Sequence, residues 1–359
     1  MAYTTIDDPS AHFQTATYTG NGANTVVTNG GNSDLKPDFL WIKNRTAGYA
    51  HFVVDSNRNI SYAQNSSNAP YLETDSNAAE NSNQNWMQSV NTDGFTTGIA
   101  EHTNCNSGSA YVALQWKANG GTTATNTTGS IDSVVQANTD AGFSIVTYTG
   151  GGSAGTIGHG LGAKPKLIIL KKRNGAVHWY VRHDSTGSSY LVLSLTAAAA
   201  SVPAPTWTTT EPTSSVFSIG SGADFNANGG TFIAYCFAEK QGYSKFGKYV
   251  GNGNADGAFV YTGFQPAFVM IKPSSYVEAW VIIDATRNPS NQAMLQLNPN
   301  SSGAEYNGAS VTNGIDILSN GFKVRTSRTE LNTSGGSLIY MAFAENPFVT
   351  STGIPTTAR

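Results

Sequence analysis

A chain of 359 residues in which only 12% are charged and the net charge is −3 has no basic surface with which to neutralise phosphates, so nucleic acid is excluded as a partner. Aromatics make up 11% of the chain, and Gly, Ser, Thr and Asn are plentiful. This composition suits short strands joined by tight turns and points to an all-β protein. No apolar run approaches the ~20 residues that span a bilayer, and MAYTTIDDPS is unlike a signal peptide, so synthesis in the cytoplasm without membrane insertion is expected.

In chain order, the segment 1–14 reads as an N-terminal docking arm. Within it Asp8 is a candidate N-cap, with Pro9 at the first position of a short helical turn. A repeated unit then begins. It opens on an aromatic strand ending in glycine, ATYTGNG (16–22), and the same word returns as VTYTGGG (146–152) and GKYVGNG (247–253). An apolar strand entered through proline follows: LKPDFLWIK (35–43), AKPKLIILKK (163–172) and FQPAFVMIK (264–272). Pro37, Pro165 and Pro266 sit where a missing ladder donor does least harm, and Lys43, Lys171 and Lys272 mark where each strand is expected to re-enter water.

The third strand of each unit ends on an aspartate, Asp55, Asp184 or Asp284, at 18, 19 and 18 residues from its proline. These carboxylates are expected to satisfy turn amides, because equivalent positions of separate repeats stand too far apart for paired acid–base work. Arg58 and Arg287 follow their aspartates by three residues and suggest local ion pairs, whereas the second unit has Gly187 there. Glycine turns launch later strands in DGFTTG (93–98), VFSIGSG (216–222) and NGFKVR (320–325). The units close on SAYVALQWKA (109–118), GTFIAYCFAE (230–239) and SLIYMAFAE (337–345), whose aromatics Trp116, Phe237 and Phe343 lie 79, 72 and 77 residues after their prolines. TAAAASVPAP (196–205) suggests one helical turn.

Units of this length are expected to bury their own cores. The predicted architecture is three tandem antiparallel β-sandwich domains, jelly-roll or lectin-like, at 15–122, 123–243 and 244–349, with a C-terminal tail at 350–359 that would lie on a neighbour.

Chemistry-bearing motifs are absent: there is no HExxH, CxxC, GxSxG or P-loop, and GHGLG (158–162) precedes a strand and not a helix. His178 and His183 are five apart on one strand and point to opposite faces, so a shared metal is not expected. Cys105 and Cys236 read as packed thiols. No catalytic residue, metal or cofactor is assigned. Trp86, Trp207 and Tyr276 lie in loop-like contexts and are the candidate glycan-contact aromatics, while Trp41, Trp116, Trp179 and Trp280 lie inside strands and read as core.

The words TTIDDPSAHFQTATYTGNG, PDFLWIKNR, YVALQWKANGG and YMAFAENPFVT resemble a domain family found in repeated form in virion proteins of marine (cyanophage-type) and other tailed bacteriophages. The resemblance covers nearly the whole chain. It implies a non-enzymatic virion structural protein, a tail or baseplate fibre that recognises a host-surface polysaccharide. Its partners would be other virion proteins, and its assembly a homo-oligomer such as a trimer. A capsid decoration or head-fibre protein is the nearest alternative, and a glycan depolymerase the alternative of another class.

Overall fold

The computed structural model describes residues 3–58, 70–82, 87–99, 105–200, 207–307 and 314–356. The first repeat supplies β1 (Phe13–Thr19), β2 (Val26–Val27), β3 (Phe39–Asn44) and β4 (Phe52–Asp55). It continues with β5 (Leu72–Glu73), β6 (Met87–Val90), β7 (Phe95–Thr97) and β8 (Ala110–Trp116). The second supplies β9 (Ala124–Asn126), β10 (Ser133–Asn138), β11 (Phe143–Thr149), β12 (Gly155–Gly158) and β13 (Leu167–Lys172). It ends with β14 (Tyr180–His183), β15 (Tyr190–Val192), β16 (Val216–Ile219) and β17 (Thr231–Phe237). The third supplies β18 (Ser244–Val250), β19 (Phe259–Tyr261), β20 (Phe264–Pro273), β21 (Val281–Asp284) and β22 (Leu295–Gln296). Its last strands are β23 (Tyr306–Asn307), β24 (Ile315–Leu318), β25 (Gly321–Val324) and β26 (Ser337–Pro347).

The main sheets repeat one plan. Their orders are β1-β8-β3-β4-β5, then β15-β14-β13-β17-β11-β10-β9, then β18-β26-β20-β21. In each, the opening strand pairs with the closing strand, which pairs with the proline strand, which pairs with the aspartate strand. Every one of these pairings is antiparallel. Among the described residues only the second sheet continues past its opening strand, through β10 and β9.

Register brings the closing aromatics to equivalent places. Trp116 stands between Phe13 and Phe39, Phe237 between Phe143 and Leu167, and Phe343 between Ser244 and Phe268. One face of each sheet is turned inward, so these rows meet in a single core cluster that draws on all three repeats. Ring centroids are 6.4 Å apart for Trp116–Phe237, 5.6 Å for Trp116–Phe343 and 5.9 Å for Phe237–Phe343. The repeats therefore share a core where their length suggested three separate ones.

The outward faces are covered by small sheets, β2-β7-β6, β12-β16 and β19-β25-β24. Satellite cores under the first two contain Leu40, Ile42, Val54 and Phe95 in one case and Ile168, Leu170, Phe217 and Phe232 in the other. Buried on both faces, β3 is apolar at Phe39-Leu40-Trp41-Ile42 and not alternating. Gly20, Gly150 and Gly251 close the opening strands because a Cβ there would run into the backbone at Asn106, Ala227 and Thr333. The glycines two residues on, Gly22, Gly152 and Gly253, take φ of 77°, 76° and 69°, which explains the repeated G-x-G.

Pro37 and Pro165 precede their strands by two residues, but Pro266 lies inside β20, tolerated because the ladder shifts register there. Asp8 accepts a hydrogen bond from the Ser10 amide at the head of a short 3-10 turn, Pro9–Ala11. The described part of the alanine run, 196–200, is extended and not helical, and Ala200 bridges to Tyr190.

The arm and tail both differ from expectation. Strand β1 starts inside the arm at Phe13, Ile6 is buried, Thr4 donates to the Gln241 carbonyl, and Tyr3 donates to that of Gly263. The tail folds back on itself, Val349 bridging to Pro355, and the Ser351 amide donates to Asp7 at 2.6 Å. Both segments are thus seated on their own chain.

Truncating Phe343 to alanine should cost about 3 to 5 kcal/mol. Because the ring serves all three sheets, calorimetry should record one transition moved as a whole, and a separate lower transition for the third repeat alone would contradict the shared core.

Candidate functional site

The three lysines do not reach water. Lys43, Lys171 and Lys272 are 1%, 0% and 0% exposed. An ammonium carries three N–H donors and no acceptor, so burial requires carbonyls, and strand ends next to turns provide them. Lys43 Nζ donates to Asn44 and Tyr49 of its own turn at 2.8 and 2.7 Å and to Ser302 of the third repeat at 3.0 Å. Lys171 Nζ donates to Val177 at 2.5 Å and to Asn77 of the first repeat at 3.1 Å. Lys272 Nζ donates to Glu278 at 2.7 Å and to Thr196 of the second repeat at 3.0 Å. Each lysine thus ties its repeat to the preceding one, and the third link closes the ring. Burial pushes all three down to about 8, so they remain largely protonated at neutral pH.

The aspartates stand at these same seams and are not brought together. Asp55 and Asp284 are fully buried, each accepting from the backbone amide and the Nε of its arginine, at 2.9 and 2.5 Å for Arg58 and at 2.8 and 2.5 Å for Arg287. The arginines then reach glutamates that sequence reasoning missed. Arg58 Nη1 meets Glu80 at 3.0 Å, and Glu80 forms a bidentate pair with Arg173 of the second repeat at 2.8 and 2.9 Å. Arg287 Nη1 meets Glu305 at 2.7 Å, and Glu305 holds Arg45 of the first repeat at 2.8 and 2.9 Å. Burial works against the charges, but Asp55, Tyr235 and Glu80 more than offset it and pull Arg58 up. Burial likewise opposes ionisation of Glu80 and Glu305, yet their arginines hold both below the usual carboxylate range.

The seam between the second and third repeats keeps only the aspartate of this network, Asp184. The backbone contact that joins Glu80 to Arg173 and Glu305 to Arg45 recurs there between the Ala199 amide and the Ser274 carbonyl at 2.8 Å. Ala199 and Ser274 occupy the glutamate and arginine positions, and Gly187 that of Arg58. Asp184, freed from an arginine, is partly exposed and pairs with Lys164 and Lys166 at 3.0 and 2.8 Å. Trp280 Nε1 donates there to the Val192 carbonyl at 3.0 Å, as Trp179 Nε1 does to that of Glu73 at the first seam, and His183 Nε2 meets the Tyr340 carbonyl at 3.1 Å. Burial drives His183 down to about 4, so it is neutral there.

Of the candidate surface aromatics, Trp86 lies outside the described residues. Trp207 is buried, with its ring 5.3 Å from Phe225 in the satellite core, because its strand bridges to Ile219. Tyr276 is half-buried and donates its hydroxyl to the Thr329 carbonyl at 2.7 Å. Trp41, Trp116, Trp179 and Trp280 are in the core as expected. Among the described residues the exposed rings are instead Tyr306, at 41%, and the pair Phe259 and Tyr261, on the outward positions of edge strand β19, at 48% and 52%. They stand about 7 Å apart along the strand. Lys323 lies directly across from Phe259 and pairs with Asp256 at 2.8 Å. The alternation F-V-Y carried this signal in the sequence.

Among the described residues no group of three His, Cys, Asp or Glu could hold a metal, and no helix is long and apolar enough to cross a membrane. Cys105 and Cys236 are buried and form no disulfide. Asp184 and Glu211 share Lys164 at 3.0 and 2.8 Å, and despite partial burial that favours the acid form, their lysines and Arg182 hold both carboxyls below the usual range.

These features define an all-β protein in which buried ions hold three like sheets in a ring. The chain belongs to the family described as a domain of unknown function, DUF7483, which matches residues 8–347. No curated protein and no solved structure matches it.

Two outcomes follow from the seams. Because the three lysines titrate near 8 when folded and near 10.4 when unfolded, the unfolded chain holds more protons between those values, and stability should rise with pH across that window. Denaturant midpoints between about pH 8 and pH 9.5 read this rise, and Lys171→Met should remove roughly a third of it. Glu305→Gln strips Arg45 and Arg287 of their shared carboxylate and should cost about 3 kcal/mol at pH 7 in urea unfolding. A loss below about 0.5 kcal/mol, typical of exposed pairs, would contradict a structural role.

Proposed function

We propose that the protein is a non-enzymatic structural component of a bacteriophage particle, a tail or baseplate fibre element that meets a host-surface glycan. In this reading its repeats are three tandem antiparallel β-sandwich units fused into one body, and its partners are other virion proteins. The observation that carries it is the closed ring: one sheet plan used three times around a shared aromatic core, with ionisable groups buried at the seams. The resemblance of the repeated words to phage virion proteins supports the particle.

The glycan would stack on Phe259 and Tyr261, where two rings share one exposed face beside the Lys323–Asp256 pair. Trp207 has no part in it, being buried. Asp184 and Glu211, the carboxylates that share Lys164, do not make the acid–base pair of a depolymerase. A general acid needs a raised pKa, and both of these are lowered.

Binding of the purified protein to whole host cells, and blocking of phage adsorption by antibody against it, tests the fibre reading. Phe259→Ala with Tyr261→Ala should reduce cell binding at least several-fold without lowering Tm. Immunogold over the head surface would replace the fibre with a decoration role, and loss of polysaccharide viscosity on incubation would replace the non-enzymatic one.

A further inference from the structure

The second sheet carries something its counterparts lack. Strand β10 lies against the outer edge of the opening strand β11, with Gln136 opposite Ile145 and Val134 opposite Thr147. In the first sheet the equivalent strand, β1, is the last strand. Its pairing with β8 uses even-numbered residues, as the bonds from Gly20 N to Ser109 O and from Lys117 N to His12 O show. In an antiparallel ladder the alternate residues then aim their N–H and C=O groups at the other side, so the main-chain groups of Thr15, Thr17 and Thr19 point to the free edge. Thr17 and Thr19 are exposed.

Among the described residues no strand lies beside β1 in the place that β10 takes in the second sheet. A cleft of about 280 Å³ is lined by Phe13, Thr15, Ala285, Thr286 and Glu345, where the third repeat meets the first. At the corresponding seam Gln136 is fully buried, accepting from Ser56 Oγ at 3.0 Å and from the Gly121 amide at 3.2 Å. Ser56 and Ala285 are equivalent, each following its aspartate. Asn57 uses its amide to clamp both strands, donating to Val134 O and Ile145 O at 2.9 Å each. Its counterpart Thr286 meets the Thr15 carbonyl at 3.4 Å, with no second strand beside it. The Thr15 hydroxyl oxygen is buried and has no hydrogen-bond partner among the described residues.

The edge is also unprotected. Natural sheets shield free edges with charge, and β18, the equivalent edge of the third sheet, carries Lys245 and Lys248. Strand β1 reads FQTATYT, without a charge. We propose that the free edge of β1 is a strand-acceptor site, which takes an extended, uncharged segment of a partner protein in antiparallel pairing and seats an amide side chain in the cleft beside Thr15. The chain's own β10 shows the geometry of the bound state: main-chain bonds give the affinity, and the pocket gives the register.

A labelled peptide of residues 133–139, SVVQANT, is the probe, titrated with the full chain by fluorescence anisotropy. Saturable binding is expected, at least tenfold weaker for Thr17→Pro, which removes one outward amide while sparing the bonds to β8, and unchanged for Thr17→Val. Replacing Gln136 by leucine in the peptide should weaken binding. Should Thr17→Pro melt early, Thr17→Lys places a charge on the same edge and serves the same comparison. Absence of saturable binding, or binding by the proline and lysine variants as tight as by the unmodified chain, overturns the site. Self-association of the unmodified chain that Thr17→Pro abolishes would make a second copy the occupant and overturn the separate partner.

Discussion

The packing of Trp116, Phe237 and Phe343 against one another is the contact on which the rest of the architecture depends. Each ring sits in the middle row of its own sheet, held by a strand on either side, so the triangle fixes three sheets relative to each other through their stiffest positions. Aromatic rings are suited to this, since each removes a large apolar area from water and edge-to-face contact adds a directional preference. Once the inward faces have converged, the outward faces still need cover, and the small sheets supply it.

Convergence also explains the buried ions. Where two sheets meet at an angle, strand ends and turns of one are driven against turns of the other, and main-chain carbonyls are caught without water. A lysine at the end of the proline strand meets that demand in every repeat, donating to its own turn and to the neighbour's. The Asp-Arg-Glu-Arg networks do the same at two seams with charges of both signs. Removing one member alone would leave a buried charge unpaired. The seam between the second and third repeats has accordingly lost both arginines and the glutamate together: Gly187, Ala199 and Ser274 stand in their places, and Asp184 has turned outward to the half-buried Lys164 and Lys166. A network of this kind is tolerable whole or absent, not halved.

Much of the strand framework was legible because its determinants are local. Proline, apolar run, terminal aspartate and glycine turn each report a backbone need that one repeat can state by itself. The pair Asp55–Arg58 was readable for that reason, its partners being three residues apart. Glu80 and Glu305 were not, since their arginines Arg173 and Arg45 lie 93 and 260 residues away, and only the ring closure brings them together. The lysines misled in the same way: a charge after an apolar run ordinarily marks the surface, and nothing inside a single repeat tells that another repeat's carbonyl waits there. Trp207 misled for the opposite reason, its Pro-rich neighbourhood concealing a one-residue bridge to Ile219 that buries the ring.

The same distinction between local and relational determinants orders the surface. Duplication delivers three equivalent opening strands, but the strand order makes only one of them internal, and the chain treats the remaining two differently. Lysines guard β18, whereas β1 keeps a neutral, threonine-rich edge above an open cleft. If free edges were merely a residue of duplication, both should carry the same protection, because both run the same risk of unwanted pairing. An unguarded edge beside a cleft, at the seam position that the chain's own glutamine occupies in the second sheet, is instead what an acceptor requires: main-chain groups presented without charge, and one side-chain position to set the register.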